Sequence, residues 1–338
     1  MVAGSTDEIT PYKFDRDENN KPLNVKNIPA YDIPASARFM APRAEQGAPE
    51  IIYYLSSPNA TSYPIAIICG GSTSIENIGT IIHVHRYFLQ EFMDLNVGVV
   101  TVEQWGVDGE KIDAGAFMEH YTRSQRLQDH KDLISHLVAC PPQGWNGKLI
   151  FLGISEGGPL VTTLTAEYTA MTVATMNWVG AGDWPWRDEL WIFIEDMRKN
   201  APWWANLWDL MPRWLPFAPD LPRNRDEYDA RIDEIAANPN MDRFFLGMSY
   251  KYHADTMEYP APAYQKLRTP LQVVAGAQDS AVHSSDAFVQ KAQEAGVNVT
   301  YLRVANMGHY VRTRPDIIKK SFDWLVEQMQ IKSASKRE

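Results

Sequence analysis

Cysteine is nearly absent from this sequence: Cys69 and Cys140 are the only two in 338 residues. A disulfide-built scaffold is therefore excluded, and a chain of this length can bury enough apolar surface to stand without one. Basic residues are in deficit too. Lys plus Arg number 32 against 42 for Asp plus Glu, a net charge of −10, which is no footprint for nucleic acid. No uncharged apolar run approaches the roughly 18 residues of a membrane-spanning helix. The opening residues, MVAGSTDEIT, lack the basic head and apolar core of a secretory leader. Such a start suits a cytoplasmic protein, and equally an exported one whose leader has been removed. Glycine (20) and proline (22) are at ordinary levels and no internal repeat is visible, so collagen-like, low-complexity and largely disordered chains are excluded as well.

One residue type is in surplus. The chain has 11 Trp, and seven of them (Trp184, Trp186, Trp191, Trp203, Trp204, Trp208 and Trp214) fall within 31 consecutive residues. The surplus is local, so it belongs to one segment rather than to the chain as a whole.

Along the sequence, residues 1–35 are polar and irregular and read as a surface extension. Short apolar runs rich in β-branched residues then alternate with helical periodicity. Strands are expected at 49–56, 64–69, 97–102, 148–152, 173–179, 271–276 and 297–304. Helices are expected between them, at 83–95, 123–138, 159–168, 284–295 and 316–329. This rhythm implies βαβ units and a mostly parallel sheet with helices on both faces. It breaks for about 80 residues after Asp183, where only helical spacing recurs. A structureless loop of that length is improbable in a compact domain. The organisation expected is a discontinuous core, 36–182 and 267–332, with a helical insertion at 183–266.

Three positions carry the chemistry. Gly153-x-Ser155-x-Gly157 follows the strand KLIFL and precedes a helix. A glycine-rich turn is the plain reading of such a pattern. The strand–turn–helix setting adds another, a strained elbow that lifts Ser155 from the carboxyl end of its strand. A serine hydroxyl near neutral pH needs an adjacent base, and the base needs an orienting acid. Of eight histidines, His309 stands just past the last strand, in the loop MGH. His283 also follows a strand, but only four residues after Asp279, which makes it a loop neighbour. Asp279 ends LQVVAGAQD immediately beyond a strand; Asp183 is the rival acid, with a helix N-cap as its alternative role. An acyl transfer through Ser155 also needs two backbone donors for the oxyanion. The amide of Glu156 and that of Gly71, or of Ser72 in a longer turn, stand where those donors would be.

From about Ile51 to Gln330 the sequence resembles an α/β-hydrolase, most similar to the serine aminopeptidase and esterase (prolyl oligopeptidase-like) branch. The residues that carry the resemblance are CGG at 69–71, QWGVDG at 104–109, GISEGG at 153–158, GAQD at 276–279 and MGH at 307–309. The resemblance implies an eight-stranded sheet, a Ser155–Asp279–His309 triad, no cofactor, and a helical cap inserted after the sixth strand. Two departures stand out. Cys69 replaces the histidine usual before the oxyanion glycine, and the elbow carries Glu156, whose side chain would either brace the turn or meet a cationic group of the substrate. No metal is expected, since His83-x-His85 lacks further ligands.

The substrate expected is a small-molecule ester with an apolar or aromatic group, or a short peptide. Aminopeptidase, acylaminoacyl-type peptidase, short-chain lipase and acyltransferase activities are the alternatives. An inactive binding protein on the same fold is the reading of a different class. The tryptophans would serve mostly as packing for the cap, with Trp184, Trp204 and Trp208 as candidates to line the substrate pocket. A membrane-surface helix fits the segment less well, because 183–266 holds 15 acidic against 10 basic residues.

Overall fold

The structure, a computed structural model, describes residues 37–109, 111–200 and 221–334. Its centre is one eight-stranded sheet. The strands are β1 (Arg38–Ala41), β2 (Ile51–Ser56), β3 (Tyr63–Cys69), β4 (Gly98–Val102), β5 (Trp145–Ile154), β6 (Thr172–Trp178), β7 (Leu271–Gly276) and β8 (Val299–Val304). Their spatial order is β1-β2-β4-β3-β5-β6-β7-β8. β1 and β2 run antiparallel at one edge and β2 pairs antiparallel with β4; every other pairing is parallel. This is the α/β-hydrolase sheet.

The central strands explain themselves by composition. β3, β4 and β6 are buried along almost their whole length, as strands covered on both faces must be. One apolar layer packs α1 (Ile82–Asp94) and α9 (Pro315–Ala334) on a face of the sheet, through Phe88, Phe92, Trp178, Phe322 and Leu325. The opposite layer packs α3 (Arg123–Ala139) and α4 (Gly157–Glu167), through Leu133, Leu137, Phe151, Leu160 and Leu164. Thr122 caps α3 by accepting a hydrogen bond from the Gln125 amide at 3.1 Å. α2 (Ala114–His120) is a short helix before it, and α8 (Val282–Glu294) closes the far side against β7.

Between β6 and β7 the chain forms α5 (Trp186–Asn200), α6 (Arg225–Ala237) and α7 (Tyr250–Glu258). These helices have an apolar core of their own, built from Leu190, Ile194, Tyr228, Ile232, Ile235, Phe245 and Tyr250. The alternation thus breaks where the sequence says it should. The expected surface extension at 1–35 and residues 201–220 of the expected helical insertion lie outside the described residues. Among the described residues no helix is long and apolar enough to cross a membrane.

Candidate active site

The turn from β5 into α4 is tight. Ser155 has φ +52°, a conformation strained for any residue with a side chain. Its amide donates to the Trp178 carbonyl at 2.9 Å and its carbonyl accepts from the Gly158 amide at 2.8 Å, which pins the strain in place. A Cβ on Gly157 would lie 2.0 Å from the Cys69 carbonyl oxygen, and one on Gly153 would lie 2.5 Å from Val161 Cγ2. Both glycines are therefore required by close approach, and Ser155 is left standing clear at the carboxyl end of the sheet.

Three side chains from three loops meet there. Ser155 Oγ lies 2.8 Å from His309 Nε2, and His309 Nδ1 lies 2.8 Å from Asp279 Oδ2. A carboxylate only accepts, so Nδ1 carries the proton and Nε2 is free to accept from the serine hydroxyl. Asp279 is 4% exposed at its side chain and His309 40%. The other carboxylate oxygen of Asp279 accepts from the Ala281 amide at 3.1 Å, fixing its rotation.

The rival residues are occupied elsewhere. Asp183 accepts from the Tyr264 hydroxyl at 2.7 Å and pairs with Lys291, and α5 begins three residues later at Trp186, so Asp183 is neither beside His309 nor the helix cap. His85 sits between Ser56 Oγ and Thr101 Oγ1, and burial pushes its pKa down to about 3. His253 accepts from Trp186 Nε1 at 3.2 Å and donates to the Phe245 carbonyl at 2.8 Å; burial lowers it to about 4. His283 faces Asp286 and stacks with Trp184.

Opposite the elbow, the turn after β3 presses on the serine. A Cβ built on Gly71 would be 3.2 Å from Ser155 Cβ and 3.7 Å from its Oγ. Among the described residues the amides of Gly71, Ser72 and Glu156 have no hydrogen-bond acceptor. Cys69, just before this turn, is wholly buried, and burial pushes its thiol up to about 12, so it contributes packing rather than nucleophilicity.

The family model described as serine aminopeptidase, S33 matches residues 78–311, more than half of the chain. The chain belongs to this family. No curated protein sequence matches it significantly. Solved structures share the fold at low identity. Est1E from Butyrivibrio proteoclasticus is 14% identical with a TM-score of 0.54, covering 87% of this chain and 100% of its own. A carboxyl esterase from Bacillus coagulans is 14% identical with a TM-score of 0.55, over 87% of this chain and 97% of that one. The acylaminoacyl peptidase of Pyrococcus horikoshii is 14% identical with a TM-score of 0.53; 86% of this chain aligns, spanning 41% of the peptidase. The protein is thus an α/β hydrolase of the serine aminopeptidase family.

The side chain of Glu156 is held by this hydrolase in a way the sequence could not announce. Arg126 Nη1 donates to Glu156 Oε2 at 2.9 Å, the Tyr252 hydroxyl donates to Oε1, and Tyr121 OH approaches Oε2 at 3.5 Å. Arg126 Nη2 also donates to the Gly70 carbonyl at 2.6 Å, and Tyr121 OH accepts from the Thr73 amide at 2.9 Å. Burial first, then the Glu156 charge, raise the Tyr252 phenol well above its ordinary value, so it stays a donor. One carboxylate therefore ties the elbow to the Gly70–Thr73 turn and to α7. It is braced internally, not presented to a substrate amine.

Above Ser155 lies a cavity of about 420 Å³ whose walls include Trp186, Leu190, Phe193, Leu246, Met248 and Tyr252. Among the described residues the tryptophan on its wall is Trp186. Trp184 is not on this wall: its amide donates to Ser284 Oγ, its ring stacks with His283, and it lines the adjoining cavity of about 190 Å³. Trp204 and Trp208 lie outside the described residues. Among those residues no group of three or more His, Cys, Asp or Glu side chains is arranged to hold a metal.

Proposed function

We propose that the hydrolase cleaves carboxylic esters bearing an apolar or aromatic group, through an acyl-enzyme on Ser155. What carries the reading is the unbroken 2.8 Å relay from Ser155 Oγ through His309 to Asp279, opening into a largely apolar cavity. His309 takes the serine proton as Oγ attacks the carbonyl, and Asp279 holds the imidazole tautomer and stabilises the imidazolium. The unpaired amides of Gly71 and Glu156 supply the oxyanion donors, worth roughly 10²–10³-fold each in such sites. His309 then protonates the leaving alcohol and activates water for deacylation. Residues 183–266 act as a cap over a core formed by 36–182 and 267–332, and the α5 side chains Trp186, Leu190 and Phe193 shape the acyl site.

The braced Glu156 leaves the α5 carboxylates Glu189 and Asp196 on the cavity wall as the groups an aminopeptidase would need to anchor a substrate amine. Comparing 4-nitrophenyl esters of a graded acyl series with amino-acid 4-nitroanilides tests the esterase reading. The expected result is burst kinetics and ester turnover exceeding anilide turnover by orders of magnitude. Anilide turnover equal to or above ester turnover would replace the esterase reading with the aminopeptidase one.

A further inference from the structure

Two arginines of α3 approach the elbow, and they are treated very differently. Arg126 donates to both Gly70 and Glu156. Arg123 donates to nothing. Its Nε is fully buried without a hydrogen-bond partner, and none of its nitrogens is hydrogen-bonded among the described residues. The nearest carboxylate oxygen, Glu156 Oε1, is 3.6 Å from Nε and already accepts from Tyr252. Yet the Arg123 side chain is only 10% exposed. A buried guanidinium with no acceptor is costly, and such groups are rare unless something absent from the protein completes them.

Its surroundings say what would complete it. The Trp186 and Tyr259 rings flank the guanidinium carbon, 5.5 and 5.1 Å from it to their centroids. Rings stacked on a guanidinium face satisfy its charge but not its in-plane N–H groups, which a planar carboxylate can accept from. Arg123 also lines two cavities at once, the one of about 420 Å³ that holds Ser155 and His309 and a second of about 190 Å³ beside it. Pro159, Gly180, Trp186 and Glu189 are the other residues common to both walls.

Charge on the cavity walls is mixed, Glu156, Glu189, Asp196 and Asp279 lining the larger cavity with Arg123 and His309, so the unpaired guanidinium marks the site rather than net charge. Arg123 and Arg126 face a single committed carboxylate, Glu156. The next one, Glu189, accepts from Ser284 Oγ and makes no ion pair with Arg123; burial raises its pKa, while the Ser284 hydrogen bond and the Arg123 charge pull it back down. Resting on the serine-esterase reading above, we propose that Arg123 is the anchor for a carboxylate carried by the substrate, so that the preferred esters are anionic ones. The carboxylate sits at the junction of the two cavities while the scissile carbonyl sits at Ser155.

The carboxylate can belong to the acyl group or to the leaving group, and two pairs of esters distinguish these. 4-Nitrophenyl hydrogen adipate is compared with its methyl-capped uncharged analogue, and 3-carboxy-4-nitrophenyl hexanoate with its methyl ester. In one of the two pairs the anionic member is expected to have the higher kcat/KM, by roughly 10- to 100-fold, the range of a charge-assisted hydrogen bond. Arg123→Gln should bring that ratio to near one, whatever happens to the absolute rates, and Arg123→Lys should keep part of it. A purely structural role for Arg123 would lower both members together and leave the ratio intact, which would overturn the proposal. So would a ratio near one in both pairs for the wild type, or a preference for the ammonium ester 4-nitrophenyl 6-aminohexanoate.

A second readout does not need catalysis. Monomethyl adipate binding to Ser155→Ala, measured by calorimetry, should exceed dimethyl adipate binding and lose that margin in Ser155→Ala/Arg123→Gln. An enzyme inert toward every ester but showing this margin would sink the esterase reading and leave the anion site standing. Absence of the margin, with ester turnover intact, would do the reverse.

Discussion

Ser155→Ala lowers kcat for the best ester substrate by about 10⁶-fold, the loss seen when the nucleophile of a serine triad is removed. The fold is expected to survive, because alanine at φ +52° carries the same Cβ and the same backbone strain as the serine it replaces. What disappears is the hydroxyl 2.8 Å from His309 Nε2, and with it the acyl-enzyme. His309→Ala should cost about as much, and the double variant no more than either single one, because the two residues act as a unit. Asp279→Asn should cost about 10⁴-fold, since an amide at that position stabilises the wrong imidazole tautomer. Asp183→Asn should leave kcat within a few fold, its carboxylate being engaged by Tyr264 and Lys291. Steady-state kinetics on one chromogenic ester measure all five variants. Near-normal turnover in Asp279→Asn, or a collapse in Asp183→Asn, would reverse the assignment of the acid.

Arg126→Met is expected to destabilise the protein by about 3–5 kcal/mol, the cost of stranding the partner of a buried ion pair. Arg126 is buried, and its two donor nitrogens reach Glu156 Oε2 and the Gly70 carbonyl. Without it the Glu156 carboxylate keeps only the two tyrosine hydroxyls and the distant Arg123. Adding Glu156→Gln removes the stranded charge, so the double variant should be more stable than Arg126→Met alone. Activity should not recover with stability. The Gly70 carbonyl remains released, the Gly71 amide is free to drift from the oxyanion position, and kcat should fall more than KM rises. Urea unfolding of the two single variants and the double one tests the first part, and kinetics test the second. A loss under 1 kcal/mol in Arg126→Met, or a double variant less stable than it, would show that the pair does not brace the elbow.

Much of this molecule is written locally in its sequence. Buried parallel strands announce themselves as short runs such as PIAIIC and VGVVTV, and the glycines around Ser155 mark a turn that no bulkier residues could make. The proposed roles of His309 and Asp279 could be suggested from sequence because ligand sites of a doubly wound sheet lie just beyond strand ends, and their strands were readable. β1 was not readable: four residues, RFMA, with two of them exposed, give no period to detect. α2 and α7 are short, and their sequences carry more tyrosine, histidine and glycine than helical pattern. The Glu156 brace was invisible for a different reason. Its partners lie 30 residues before it on α3 and 96 after it on α7, and no local rule links them. The place of Trp186 on the cavity wall was hidden likewise, because the rotation of α5 is set by its packing on α6 and α7 through Leu190 and Ile194, with Trp186 and Trp191 against the same cluster.

The central claim is that Ser155 is a nucleophile activated by His309. Treatment with a fluorophosphonate, followed by intact-mass measurement and peptide mapping, tests it most directly. The account predicts a single adduct, on Ser155, that is absent from Ser155→Ala and strongly slowed in His309→Ala. No adduct on the wild type, an adduct on another residue, or undiminished labelling of Ser155→Ala would contradict it.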